Sequence, residues 1–193
     1  MLAENFHFGS ITQTAGTAII RTVPFRPNRI ARITTLRHKA GTTLHTATVL
    51  KSLGSTTVVS GGAAAQADVV LAADPGPAGN GIAANDYVTF ELPDGTTFQS
   101  TVNAWVAGTL TLTLNDNFPT GGVAVGAKVW DHGVAGDQTS LAFEMPASAT
   151  TSYVESIQVG VAEGLAGEPM VVYVNNATVA GTLQQVAGLY AIR

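Results

Sequence analysis

The sequence contains no cysteine, which excludes disulfide frameworks, thiolate zinc sites and thiol nucleophiles together. Charge is scarce as well, at 11% of residues against roughly 25% in ordinary soluble domains. A surface short of lysine and glutamate must be made of threonine, serine, alanine and glycine. Such a surface suits a subunit that neighbours cover, because interface cores are depleted of charge. No run approaches the ~20 apolar residues that span a bilayer, so no membrane partner is expected. MLAENFHFGS has no basic stretch followed by an apolar one, and no secretory signal is read there.

Catalytic signatures are missing too. There is no G-x-S-x-G elbow, no phosphate-binding G-x-x-x-x-G-K-[ST] and no HExxH. His7, His38, His45 and His132 fall in no metal-binding spacing. Asp131, His132 and Asp137 lie within seven residues, and Asp116 stands between Asn115 and Asn117. Neither group has the oxygen-ligand spacing of a calcium loop, and Asp and Asn in turns ordinarily bond their own backbone. The expectation is a chain with no catalytic residue, no cofactor and no metal.

What is present is hydrophobic residues at 46%, ample for a core, arranged almost wholly with the period of two that marks half-buried strands. From Asn85 to Gly133 the pattern is densest. Val88, Phe90 and Leu92 alternate with Tyr87, Thr89 and Glu91, and Pro93-Asp94-Gly95 then supplies turn chemistry. Strands follow through Phe98, Ser100 and Val102, through Thr109 to Leu114, and through Val123 to Trp130. Strands this short and evenly spaced predict a small β-barrel.

Residues 1–16 are polar and read as an extended arm, with Phe6 and Phe8 on one side of it. Thr17 to Val23, Asn28 to Arg37 and Leu44 to Leu53 read as strands. The Ile30, Ile33, Leu36 spacing also suits a helix, but Thr34-Thr35 favours strand. Ser55 to Ser60 is expected to form a hairpin with Leu44 to Leu53, and Ala63 to Ala67 is the best helix candidate. Tyr153 to Val161, Met170 to Val174 and Thr182 to Ile192 close the chain as strands. The fold class is therefore all-β with almost no helix. A β-sandwich-like outer domain (17–68 plus 139–193) carries an inserted small β-barrel (85–133), entered through the loop Asp74 to Gly81.

Charge is unevenly placed. Seven of the nine cations (Arg21, Arg26, Arg29, Arg32, Arg37, Lys39, Lys51) lie in the first 51 residues, and twelve of the thirteen acids lie at Asp68 or beyond. The basic segment is expected to meet an acidic partner or the acidic remainder of its own fold. With only Phe25 as an aromatic neighbour, it does not read as a single-strand nucleic-acid binder. Trp105, Trp130 and Tyr87 form a possible sugar platform, with buried barrel aromatics as the simpler reading.

LRHKAGTTLHTATVLKSLGSTT (36–57), AADPGPAGNGIAANDYVTFELPDGT (72–96) and PTGGVAVGAKVWDHG (119–133) resemble segments of tailed-bacteriophage structural proteins. In its Ala/Thr/Gly-rich, cysteine-free style the chain is similar to capsid decoration (cement) proteins. That resemblance implies a non-enzymatic virion component, made in the host cytoplasm, that sits on the outside of expanded heads. It would stabilise contacts between major capsid protein subunits, with a homo-oligomer, a trimer favoured, as its state. Phe6, Phe8, Arg21, Arg26, Arg29, Arg32, Arg37 and Lys39 are then the expected partner contacts. The alternatives are a glycan-binding module of a head or tail fibre and a tail-tube or connector subunit.

Overall fold

A computed structural model describes residues 4–8, 10–12, 19–23, 26, 28–39, 45–76, 81–134, 141–145, 153–156, 163–174 and 182–192. These residues form fifteen strands, and none of them is helical. The chain divides into two compact units, Met1–Lys51 with Thr139–Arg193, and Ser52–Gln138.

The first unit is a two-sheet sandwich. One sheet runs β1 (Glu4–Phe8), β15 (Thr182–Ile192), β4 (Arg29–Lys39), β13 (Tyr153–Ser156), with β2 (Ile11–Thr12) also paired to β15. The other runs β12 (Leu141–Met145), β5 (His45–Leu50), β14 (Met170–Val174), β3 (Ile19–Val23). Ala31, Ile33, Leu36 and Tyr190 of the first sheet meet Val23, Ala47, Val49, Met170, Val172 and Val174 of the second. Each fully buried aliphatic side chain contributes roughly 1.5–3 kcal/mol, so this shared layer, not charge, holds the sandwich.

The helix-like spacing on β4 has a strand explanation. Gly188 pairs with Ile33 and Ala187 with Thr35, which leaves Thr34 as an extra residue in the ladder. A bulge of this kind shifts the alternation by one. Ile33 and Leu36 therefore both reach the core although they are three apart.

The wiring of the sandwich is specific. Strands β3, β4 and β5 alternate between the sheets, and so do β12, β13 and β14. The neighbours β3–β14–β5–β12 and β4–β13 are those of a double-sheet jelly roll. In sequence, the second unit stands where the fourth and fifth strands of that eight-stranded roll would be.

That second unit is a closed antiparallel barrel, in the order β10 (Thr111–Leu114), β7 (Asp68–Leu71), β6 (Gly54–Gly61), β11 (Lys128–Asp131), β8 (Tyr87–Glu91), β9 (Thr97–Val106). Val58, Val69, Leu71, Val88, Phe90, Val102, Leu112, Leu114 and Val129 fill it, with Ile82, Phe118 and Val123 packed among them. Closure removes the unpaired strand edges that invite aggregation. At the β8–β9 turn, Asp94 Oδ1 accepts from Thr96 N at 2.9 Å and Thr96 Oγ1 at 2.6 Å. The Thr96 hydroxyl, then its amide, hold the Asp94 carboxyl below its usual value.

Several expectations change. The barrel begins at β6, not at Asn85, so 54–61 and Asp68 belong to it rather than to the outer domain, and 69–71, expected in neither, belong to it too. Ser55 to Ser60 pairs with β7 and β11, while β5 pairs with β12 and β14, so the expected 44–60 hairpin does not form. Ala63 to Ala67 is a turn: Gly61, Gly62 and Ala65 have φ of 80°, 70° and 61°, a left-handed geometry that stops a helix. Five residues are in any case too few to repay helix nucleation. Residues 4–8 and 11–12 of the expected arm are strands paired to β15. The last barrel strand spans Lys128–Asp131 rather than 123–130. The expected strand from Tyr153 is described only to Ser156, and 157–161 lie outside the described residues.

Candidate functional site

The basic segment is distributed rather than gathered. Arg26 is exposed, with its Cζ 5.6 Å from the centroid of the Tyr190 ring. Arg29 is half-buried at the first residue of β4, on the core-facing parity of Ala31 and Ile33. Arg32 Nε lies 2.8 Å from Glu163 Oε1, with the two side chains 29% and 24% exposed. It is an ion pair in which the N–H is not aligned for a hydrogen bond, and an antiparallel bridge joins the two backbones. Arg37 is exposed on β4. It stands eight residues from Arg29, about 26 Å along an extended strand. Arg21 is on β3 opposite Val172, and Lys39 ends β4 opposite Thr182; their side chains lie outside the described residues.

Arg32 thus pairs within the fold and Arg26 lies against an aromatic ring, while Arg29 and Arg37 stand well apart along β4. Ion pairs this accessible stabilise by at most about 1 kcal/mol. Arg32→Ala is expected to lower stability by less than about 1 kcal/mol in urea unfolding, with the coupling to Glu163 read from a double-mutant cycle.

The aromatic anchors are also placed differently. Phe6 is 9% exposed and belongs to the core of its own sandwich. Its ring is 5.0 Å from that of Tyr190 and 5.6 Å from that of Phe8, which is half-buried against the same core. Phe6 is therefore an internal side chain. In the barrel, Trp130 is fully buried and Trp105 is half-buried against the interior, so the three-aromatic sugar platform is not displayed.

The barrel displays an apolar row that the sequence reading missed. Val106 pairs with Thr111, Thr111 with Val70, and Val70 with Ser60. Directly paired residues share a face, so this row runs over the outside of the barrel across four of its six strands, half the circuit, and Val106 on β9 and Ser60 on β6 face opposite sides. Val59, the extra residue at the β6 bulge, lies beside Ser60. Val125 precedes Gly126, whose N–H donates to the Val58 carbonyl at 2.8 Å. Val59, Val106 and Val125 are 50%, 52% and 72% exposed. Asp68 and Lys128 are exposed on the flanking strand positions. The signal was hidden because the β6 bulge breaks the alternation and Val125 lies in a loop.

Polar side chains are buried at one end of the barrel. Asp131 and His132 are 1% and 0% exposed, Asp86 4% and Thr89 0%. His132 Nε2 is 3.0 Å from Thr89 Oγ1, and Asp131 Oδ1 accepts from Gly133 N at 2.9 Å. Asp137, the third member of the group noted in the sequence, lies outside the described residues. Among the described residues no three His, Asp or Glu side chains are grouped to hold a metal ion. Asp116 Oδ2 accepts from Ser100 Oγ at 2.8 Å, a side-chain bond to β9 rather than the bond to its own turn backbone expected of it.

No family model matches the chain, and no curated protein matches it. Among solved structures, 91% of this chain aligns with 99% of a chain of the VP16-VP17 complex, a complex of the two major capsid proteins of bacteriophage P23-77. The identity is 15% and the TM-score 0.29. VP17, a capsid protein of the same phage, aligns over 92% of this chain and 99% of its own at 15% identity and a TM-score of 0.25. Likeness at that level bears on neither the fold nor the function of this chain.

Proposed function

We propose that this protein is a non-enzymatic structural subunit of a bacteriophage virion, bound to the outside of the capsid as a cement protein between major capsid subunits. The observation that carries the reading is the set of exposed valines on the outside of the barrel, Val59 and Val125 beside β6 and Val106 on β9 at the opposite side. The charge-poor composition supports it, since a chain at 11% charged residues has little else to keep such valines apart from a partner. The jelly-roll wiring of the sandwich supports it too, because double-sheet jelly rolls build capsid domains; lectin domains use them as well, so the fold alone does not decide. The segments resembling phage structural proteins point the same way. Arg26 and Arg37, both exposed, are contacts for an acidic shell, and the exposed valines on opposite sides of the barrel join copies of the protein head to tail into a trimer.

Sedimentation velocity tests these valines. The wild type is expected to sediment as a homo-oligomer. The double variant Val106→Asp, Val125→Asp is expected to sediment as a monomer while losing no more than about 0.5 kcal/mol of stability, as exposed substitutions do. An unchanged oligomer in the variant removes this surface from the proposal. Binding of soluble polysaccharide, lost on Trp105→Ala with the fold intact, would favour the glycan-binding alternative.

A further inference from the structure

The polypeptide enters the barrel at Ser52–Gly54 and leaves it at Asp131–Gly133, and these two ends are bonded to each other. Leu53 N donates to the Asp131 carbonyl at 2.7 Å, and Gly54 pairs with Asp131. His132 N donates to the Tyr87 carbonyl at 2.8 Å, and Tyr87 N to the Gly133 carbonyl at 2.9 Å. The fold leaves no slack here, because a Cβ at Gly54 would meet the Pro75 carbonyl oxygen.

Into this neck the sequence places a buried carboxyl group. Asp131 Oδ1 accepts from Gly133 N at 2.9 Å and the His132 amide also acts on the carboxyl, but burial outweighs both. The charged groups acting on it are themselves carboxylates. Asp86, buried just before β8, accepts from Ala83 N through Oδ2 at 2.6 Å. Asp74, in the loop that packs on Gly54, accepts from Gly76 N and Ile82 N through Oδ1 at 2.8 and 2.9 Å. The neighbouring imidazole, His132, is bonded to Thr89, and the cations nearest the neck in sequence are Lys128, exposed at the start of the same strand, and Lys51, just before the entering segment.

We propose that Asp131 is a proton-operated latch on the barrel neck: its neutral carboxyl keeps the incoming and outgoing strands closed, and its ionisation loosens them. The neutral acid still accepts the Gly133 N–H through its carbonyl oxygen and escapes repulsion from two carboxylates. Burial pushes the Asp131 carboxyl up to about 7 against the pull of the Gly133 amide, with Asp86 and Asp74 adding to the rise. A folded-state value above the unfolded one contributes stability that is complete below the unfolded value of 3.8 and is lost as pH rises through about 7. The latch is thus closed in mild acid and loosened above neutrality, independently of what the protein binds.

Amide hydrogen exchange at Leu53, Tyr87 and Gly133, corrected for intrinsic rates, tests it on the intact chain. Protection in the wild type is expected to fall about tenfold between about pH 6 and 8, and to stay flat in Asp131→Asn. The same fall in both proteins, or none in the wild type, overturns the latch. Should Asp131→Asn fail to fold, the Asp131 carboxyl carbon is titrated by NMR in the wild type. A midpoint near 7 supports the latch, and one near the unperturbed value, about 4, overturns it.

Discussion

Phe90→Ala is expected to cost the barrel about 4 kcal/mol. Phe90 is fully buried, and its ring meets Phe118 edge-on at 5.0 Å and 88°, with Phe98 a further neighbour at 6.3 Å. Phe98 and Phe118 are themselves 5.3 Å apart, so one truncation removes two contacts from a three-ring cluster. Aromatic pairs contribute about 0.5–1.5 kcal/mol each beyond their buried area. A closed sheet has no edge to slide inward, so the cavity collapses poorly. Both tryptophans of the chain, Trp105 and Trp130, lie in the barrel. Urea unfolding followed by tryptophan fluorescence therefore reports on this unit. A loss under about 1 kcal/mol would mean that the three rings do not form its centre.

Phe6→Ala is expected to cost the sandwich about 3 kcal/mol. Phe6 pairs across the ladder with Gly188, and a Cβ at Gly188 would meet both the Phe6 ring and the Arg32 carbonyl. The missing side chain on β15 is what lets the ring lie flat over that strand and reach Tyr190. Gly188→Ala is destabilising for the same reason. Calorimetry of the isolated protein separates this from an anchoring role. An anchor for a neighbouring subunit would leave the melting temperature unchanged on Phe6→Ala and abolish assembly; a core residue lowers it in the isolated chain.

Local alternation made part of this fold legible. Strands β8, β9 and β10 follow from Val88 and Phe90, Ser100 and Val102, and Leu112 and Leu114, because each alternates cleanly and is joined by a short turn. Strand β6 read as part of the outer domain, and most of β7 as part of neither unit, because the bulge at Val59 disrupts the pattern and because β6 meets β11 only after the chain has built β8 to β10. The β1 strand looked like a free arm since its partner, β15, lies at the other end of the sequence. Nothing in Phe6 and Phe8 distinguishes an edge strand from an extended tail.

The candidate site was less legible, for the same reason. The early cations and late acids pointed to an acidic partner or to pairing within the fold, and Arg32 with Glu163 is an instance of the second. The outer apolar row needs the registers of β9, β10, β7 and β6 together, which no single stretch of sequence contains. Asp131 was noted beside His132, but its burial depends on strands brought in from 52–54 and 87–89.

The most direct measurement is cosedimentation of the purified protein with expanded heads of the phage that carries it, prepared without it. The account predicts saturable pelleting with the heads, a higher rupture temperature for the loaded particles, and loss of both with Val106→Asp, Val125→Asp. Protein that stays in the supernatant at every concentration would contradict it.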